Sequence, residues 1–166
     1  MLAPRPWLTC RVFGLASLLC PGASPEGAAR ASAPRPSPLK SLPAFHVVIE
    51  RLAPKIEEAG LTQRQLESDV QSRLEEAGVP LSKEAPVLLY ANVAVVCSEL
   101  VCAYNVNLEV QQPVRPVLHP EAGPLLATTW NTGTTGLTDR RLRSIRDRVR
   151  EQVDQFLKAY LAANPK

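Results

Sequence analysis

Cys97 and Cys102 are the residues of this chain best placed to do chemistry, and that chemistry is oxidation of a thiol pair to a disulfide. Side-chain alternation places them. From Leu89 to Cys97 the odd positions Leu89, Ala91, Val93, Val95 and Cys97 share an apolar face, while Tyr90, Asn92 and Ala94 point the other way. From Cys102 to Val110 the apolar face is Cys102, Tyr104, Val106, Leu108 and Val110, with Asn105, Asn107 and Glu109 opposite. A turn at Ser98, Glu99, Leu100 and Val101 closes a hairpin in which Val95 opposes Tyr104, Val93 opposes Val106, Ala91 opposes Leu108 and Cys97 opposes Cys102. A slip of one residue would turn Asn105 and Asn107 into the core, so the apolar pattern and the cysteines select the same register. At a narrow, non-hydrogen-bonded position such a pair comes within disulfide range. The competing readings are two small buried thiols or a metal pair, and no adjacent His or second cysteine pair supports a metal. No cofactor is expected.

Other chemistry finds weaker footing. Gly133-Thr134-Thr135-Gly136, ahead of a helix, has the composition of a phosphate cradle. However, Leu137-Thr138-Asp139 follows where Gly-Lys-Ser/Thr is needed, so the stretch is expected to be a flexible turn. Arg140, Arg141, Arg143, Arg146, Arg148 and Arg150 do not form one stripe at helical spacing. Asp147, Glu151 and Asp154 stand among them, with Arg143–Asp147 and Arg150–Asp154 as candidate pairs, so a solvated, self-paired surface is expected and nucleic acid is not. The histidines are His46, inside a strand, and His119, in a proline-rich loop. There is no Gly-x-Ser-x-Gly elbow and no His-Glu-x-x-His helix. The expectation is therefore a protein that is not an enzyme.

The elements that would position these residues follow from periodicity. Phe45–Leu52 reads as a strand. Thr62 and Gln65 form a capping box, Leu61 staples onto Leu66, and Leu66, Val70, Leu74 and Ala77 make a helix stripe that Gly78 ends. After the hairpin, Pro113, Pro116, Pro120 and Pro124 punctuate a connection. Leu125–Thr132 is a further strand, and Thr138 or Asp139 caps a last helix with its stripe at Leu142, Ile145, Val149, Val153, Phe156 and Tyr160. The order β-α-β-β-β-α predicts an α+β two-layer sandwich, a largely antiparallel sheet of about four strands with both helices on one face. The other face would stay open and show Tyr90, Asn92, Asn105, Asn107 and Glu109, with Trp130 as a further candidate.

The N-terminus points to export. Arg5 and Arg11 accompany the apolar run Val12–Cys20, the length of a signal-peptide core and too short to span a bilayer. Ala29-Arg30-Ala31 places cleavage before Ser32, with an alternative near Gly22. Cys20 adds the option of a lipid anchor, although Leu19 is not the small residue such processing prefers. The expected organisation is a signal peptide at 1–31, a disordered Pro/Ala-rich tether at 32–43 and one domain at 44–166. The formal net charge of +3 sits in the leading segment, where Arg5, Arg11, Arg30, Arg35 and Lys40 face Glu26 alone. The remainder is close to neutral and gives no case for polyanions.

The run Ala127-Thr128-Thr129-Trp130-Asn131-Thr132-Gly133, then Leu142-Arg143-Ser144-Ile145-Arg146, Val153-Asp154-Gln155-Phe156 and the ending Ala159-Tyr160-Leu161-Ala162-Ala163-Asn164-Pro165-Lys166, resembles a family of small, exported, uncharacterised bacterial proteins. The resemblance extends over roughly residues 45 to 166. It implies an exported, periplasmic or secreted location and the extent of the domain, and no activity.

These readings converge on a non-catalytic exported module that binds or supports another envelope component, a protein or a glycan. Its candidate contact face is Asn92, Asn105, Asn107 and Trp130, because an aromatic beside uncharged amides suits such partners. The alternatives are a small hydrolase assembled from distant residues such as His46, and a lipid-anchored accessory protein held to the membrane through Cys20.

Overall fold

The computed structural model describes residues 37–139 and 142–165. All of these lie in the second of the two units into which the chain divides, Arg35–Lys166. The expected signal peptide at 1–31, the anchor option at Cys20 and the first part of the tether lie outside the described residues. In chain order come β1 (His46–Ile49), α1 (Pro54–Glu58), α2 (Gln63–Glu76), β2 (Leu88–Cys97), β3 (Cys102–Val114), a short 3-10 turn at Pro120–Ala122, β4 (Leu125–Thr138) and α3 (Arg143–Ala163). The strands form one sheet in the order β1-β2-β3-β4. β1 and β2 run parallel because α2 carries the chain back between them, and the other neighbours are antiparallel. This is the α+β fold the periodicity predicts. Among the described residues no helix is long and apolar enough to cross a membrane.

The hairpin has the predicted register throughout, from Leu88 opposite Gln111 to Cys97 opposite Cys102. The two sulfurs are bonded, across a Cα–Cα distance of 3.9 Å. Ser98 organises the turn: its N–H donates to the Val101 carbonyl at 2.8 Å, and its Oγ accepts from the Val101 N–H at 3.2 Å. Because the disulfide closes so short a loop, it removes little entropy from the unfolded chain. Cys97→Ser is therefore expected to lower stability by only about 2 kcal/mol. Urea unfolding checks this, and reductant should lower the wild-type curve by the same amount.

α2 is bounded as its sequence requires. Thr62 Oγ1 accepts from the Gln65 N–H at 3.2 Å while Gln65 Oε1 accepts from the Thr62 N–H at 3.2 Å. At the other end Gly78 turns left-handed at φ 72°. The Gly78 and Val79 amides then donate to Glu75 and Leu74, satisfying carbonyls the helix leaves open. α3 departs from expectation at its start: neither Thr138 nor Asp139 stands at the N-cap position. The N-cap is Leu142, left-handed and without a side-chain cap, and Thr138 bonds the Ser144 hydroxyl instead.

The cause is β4, which does not stop at Thr132. It runs to Thr138, so Gly133-Thr134-Thr135-Gly136 is strand and not a flexible turn. The glycines are there for room. A Cβ on Gly136 would sit 2.8 Å from Cζ of the Tyr104 ring that lies across it, and one on Gly133 would sit 2.9 Å from the Val106 carbonyl oxygen. A bulge interrupts the β3–β4 ladder between Val110 and Gln111, leaving Thr129 as the extra residue. Thr129 Oγ1 holds it in place, accepting from Gln112 Nε2 at 2.6 Å and donating to the Val110 carbonyl at 3.2 Å.

The core lies between the sheet and the helices. Val47, Ile49, Leu89, Ala91, Val93, Val106, Leu108 and Val110 face Leu66, Val70, Leu74, Ile145, Val149, Val153 and Phe156, all buried. Gln152 is also buried, 4% exposed, and its Oε1 accepts from Thr132 Oγ1 at 2.9 Å. Aromatic rings close one end, with Phe156 against Phe45, Trp130 and Tyr160 at centroid distances of 5.3, 5.6 and 5.7 Å.

Two expectations need correction. The segment 37–43, expected in the tether, packs on the domain: Leu39 is fully buried. Asn164 bonds the Leu39 carbonyl and the Ser41 amide at 2.9 and 2.8 Å. The ion pairs are also more long-range than expected. Arg150 reaches Asp69 on α2 at 3.2 Å and Asp147 at 3.3 Å, while Asp154 pairs with Arg73 of α2 at 2.8 Å. Arg150–Asp154 is thus replaced by pairs that join the helices, and the Arg143 side chain lies outside what is described. Asp69, 14% exposed, also accepts both Nε and Nη2 of Arg146 at 2.8 Å.

Candidate functional site: the open sheet face

With both long helices on one side, the other side of the sheet is uncovered among the described residues. Alternation along each strand decides what it shows. β2 contributes Tyr90, Asn92, Ala94 and Val96; β3 contributes Ala103, Asn105, Asn107, Glu109 and Gln111; β4 contributes Thr128, Asn131, Gly133, Thr135 and Leu137. Asn92 and Asn107 are direct register partners, and Asn105 lies two positions further along β3. The sequence expectation thus brings three of its four residues together.

Trp130 is the exception and leaves the site. The extra residue at Thr129 reverses the alternation, so Trp130 opposes Val110, a core position, and its ring packs edge-on to Phe156 beneath α3. Without the bulge it would have pointed outward with Thr128.

Two carboxylates organise the face. Glu50, just past β1, accepts from the Tyr90 hydroxyl at 2.6 Å and from Asn92 Nδ2. These two bonds hold the Glu50 carboxyl below the usual range. The same Glu50 bond, helped by partial burial, pushes the Tyr90 phenol up to about 12. The second carboxylate, Glu109, accepts from Asn107 Nδ2 at 2.6 Å, Thr128 Oγ1 at 2.7 Å and Gln111 Nε2 at 3.1 Å. Asn105 Nδ2 donates to Thr135 Oγ1 at 2.9 Å. Side chains that would otherwise sample many rotamers are therefore held by their neighbours, and the glycine at 133 leaves a notch beside Asn107. Glu50 is the member that sequence reasoning missed; it stands one position past its strand, and only the parallel register with β2 sets it beside Tyr90. Titrating tyrosinate absorbance should find a tyrosine that ionises near pH 12, and Glu50→Gln should return it toward the ordinary value near 10.

The remaining candidates scatter. His119 is exposed and lies 3.2 Å from Glu121. His46 shares a shallow depression at the β1 edge with Gln71, Glu75, Ser82 and Lys83. Among the described residues no hydrogen bond joins His46 to Ser82 or Glu75, and Ser82 Oγ accepts from the Glu84 amide at 3.2 Å. No group of three or more His, Cys, Asp and Glu residues suited to a metal occurs among the described residues.

What the fold and the face define is an α+β domain with one side of its sheet left to solvent and lined by fixed amides. No protein-family model matches the chain, and no curated protein matches it. Among solved structures, a dodecamer of a point-substituted PelC from Paraburkholderia phytofirmans is similar at 17% identity, covering 70% of this chain and 85% of that chain with a TM-score of 0.39.

Proposed function

We propose that this is an exported, non-catalytic binding module of the cell envelope whose open sheet face holds a glycan. The observation that carries the reading is the cluster of Asn92, Asn105 and Asn107 beside the hydrogen-bonded carboxylates Glu50 and Glu109. Amides and carboxylates fixed in one plane offer donors and acceptors in the alternating pattern that sugar hydroxyls need, at low ordering cost. A dry protein interface would favour large apolar anchors at its centre. The disulfide supports an oxidising compartment, which agrees with the leader-like N-terminal sequence. The test is binding of the purified chain to isolated envelope polysaccharides by calorimetry. Wild type should bind, and Asn107→Ala and Asn105→Ala should each weaken binding about tenfold, near 1.4 kcal/mol, without changing the fold. Absence of binding to any such polysaccharide overturns the reading.

One observation favours a hydrolase as second reading: His46 lies in one depression with Ser82 and Glu75. A serine-directed fluorophosphonate that labels wild type but not Ser82→Ala would establish it, and no labelling would remove it.

A further inference from the structure

The outer edge of β4 is unlike the other edge of the sheet. β4 is 14 residues long, is the last strand of the sheet, and pairs only with β3. Among the described residues, no backbone hydrogen bond outside that ladder involves Leu125–Thr138. An edge of this kind presents a row of unpaired N–H and C=O groups and is ordinarily blunted by Lys, Pro, short length or repeated bulges. β4 has no charged residue and no proline along its whole length, and its single bulge leaves Trp130–Thr138 in unbroken register with β3.

The opposite edge is closed. β1 is 4 residues long. Its entry is bridged where the Phe45 N–H donates to Pro80 O at 2.9 Å and the Ser82 N–H donates to Phe45 O at 3.0 Å, and its exit is capped where Gln63 Nε2 donates to Ile49 O at 2.9 Å. A head-to-tail contact, β4 of one copy on β1 of the next, therefore has little free backbone to meet.

We propose that the free edge of Trp130–Thr138 pairs with the same edge of a second copy of this chain, antiparallel about a two-fold axis, merging the two sheets into one. An isologous contact asks the edge to be complementary to itself. Here that condition is met by electrostatics, since Trp130–Thr138 carries no charged side chain and no antiparallel register of the segment on itself opposes like charges. It also covers Leu137, which stands 72% exposed beside the edge.

Sedimentation of the full chain at micromolar concentration, with amide hydrogen exchange on the same samples, tests the proposal. The expected mass is a dimer, and alternate amides of Trp130–Thr138 should exchange slowly in the dimer and fast on dilution to monomer. Asn131→Lys combined with Thr135→Lys, both exposed positions on the open face, should give a folded monomer with that protection lost. Asn131→Gln with Thr135→Ser should remain dimeric. A wild type that is monomeric at all concentrations overturns the proposal. So does a dimer that survives the double lysine change, or a monomer whose edge amides are protected, which would mean that another part of the same chain covers the edge. Should the lysine variant fail to fold, the wild-type exchange pattern decides.

Discussion

Phe156→Ala is expected to destabilise the domain by about 4 kcal/mol, a large share of what a domain of this size has. Phe156 is fully buried and touches three other rings, Phe45, Trp130 and Tyr160, which come from the residue just before the first strand, the last strand and its own helix. Truncation leaves a cavity that none of these can close without breaking its contact with the others. Thermal or urea unfolding gives the magnitude. The fluorescence of Trp130, in a Trp7→Phe background that leaves it the sole tryptophan, gives the location. Its emission should shift to the red in the Phe156→Ala variant, and an unshifted spectrum would place the indole away from α3 and restore it as a candidate for the open face.

Asp69 carries the second large effect. Its carboxylate receives a two-pronged bond from Arg146 and a third contact from Arg150, tying α2 to α3. The Arg146 bonds hold its carboxyl below the usual range against the opposing effect of partial burial, and Arg150 adds to the depression. A carboxyl with a depressed folded-state pKa contributes stability that is fully present above its unfolded value, near 3.9, and is lost as pH falls through the lower folded value. Asp69→Asn should therefore cost about 2 kcal/mol at pH 7. The wild-type and variant curves should approach each other as pH drops below about 4. Urea midpoints measured from pH 7 to pH 2 check this, and a gap independent of pH would assign the contribution to packing alone.

The sheet's centre was legible because its information is local and redundant. In β2 and β3, alternation, the two cysteines and the short turn all require one register, and none of them depends on a distant residue. The α2 caps and the α3 stripe were legible for the same reason. β4 was not. Gly133 and Gly136 carry the ordinary signature of a turn, and the reason they belong in a strand is the closeness of Val106 and Tyr104 across the ladder, which appears only once the strands have paired. The direction of Trp130 was lost to a single extra residue, Thr129, whose bonds to Gln112 and Val110 are tertiary facts. Leu39 was hidden by its company, since Pro and Ser on either side read as tether. For the candidate site, period-two alternation was enough to group Asn92, Asn105 and Asn107. Glu50 required the parallel pairing of β1 with β2, which no local pattern encodes.

Asn164 has a consequence for how the molecule is completed. Its side chain ties Leu39 and Ser41 to the end of the last helix across sequence separations of 125 and 123 residues. A chain that emerges N-terminus first, from a ribosome or through a translocation pore, thus presents Leu39 and Ser41 long before the Asn164 side chain that ties them exists. The closing step must wait for the final turn of α3, and until that turn is free of the pore the protein is held short of its finished state.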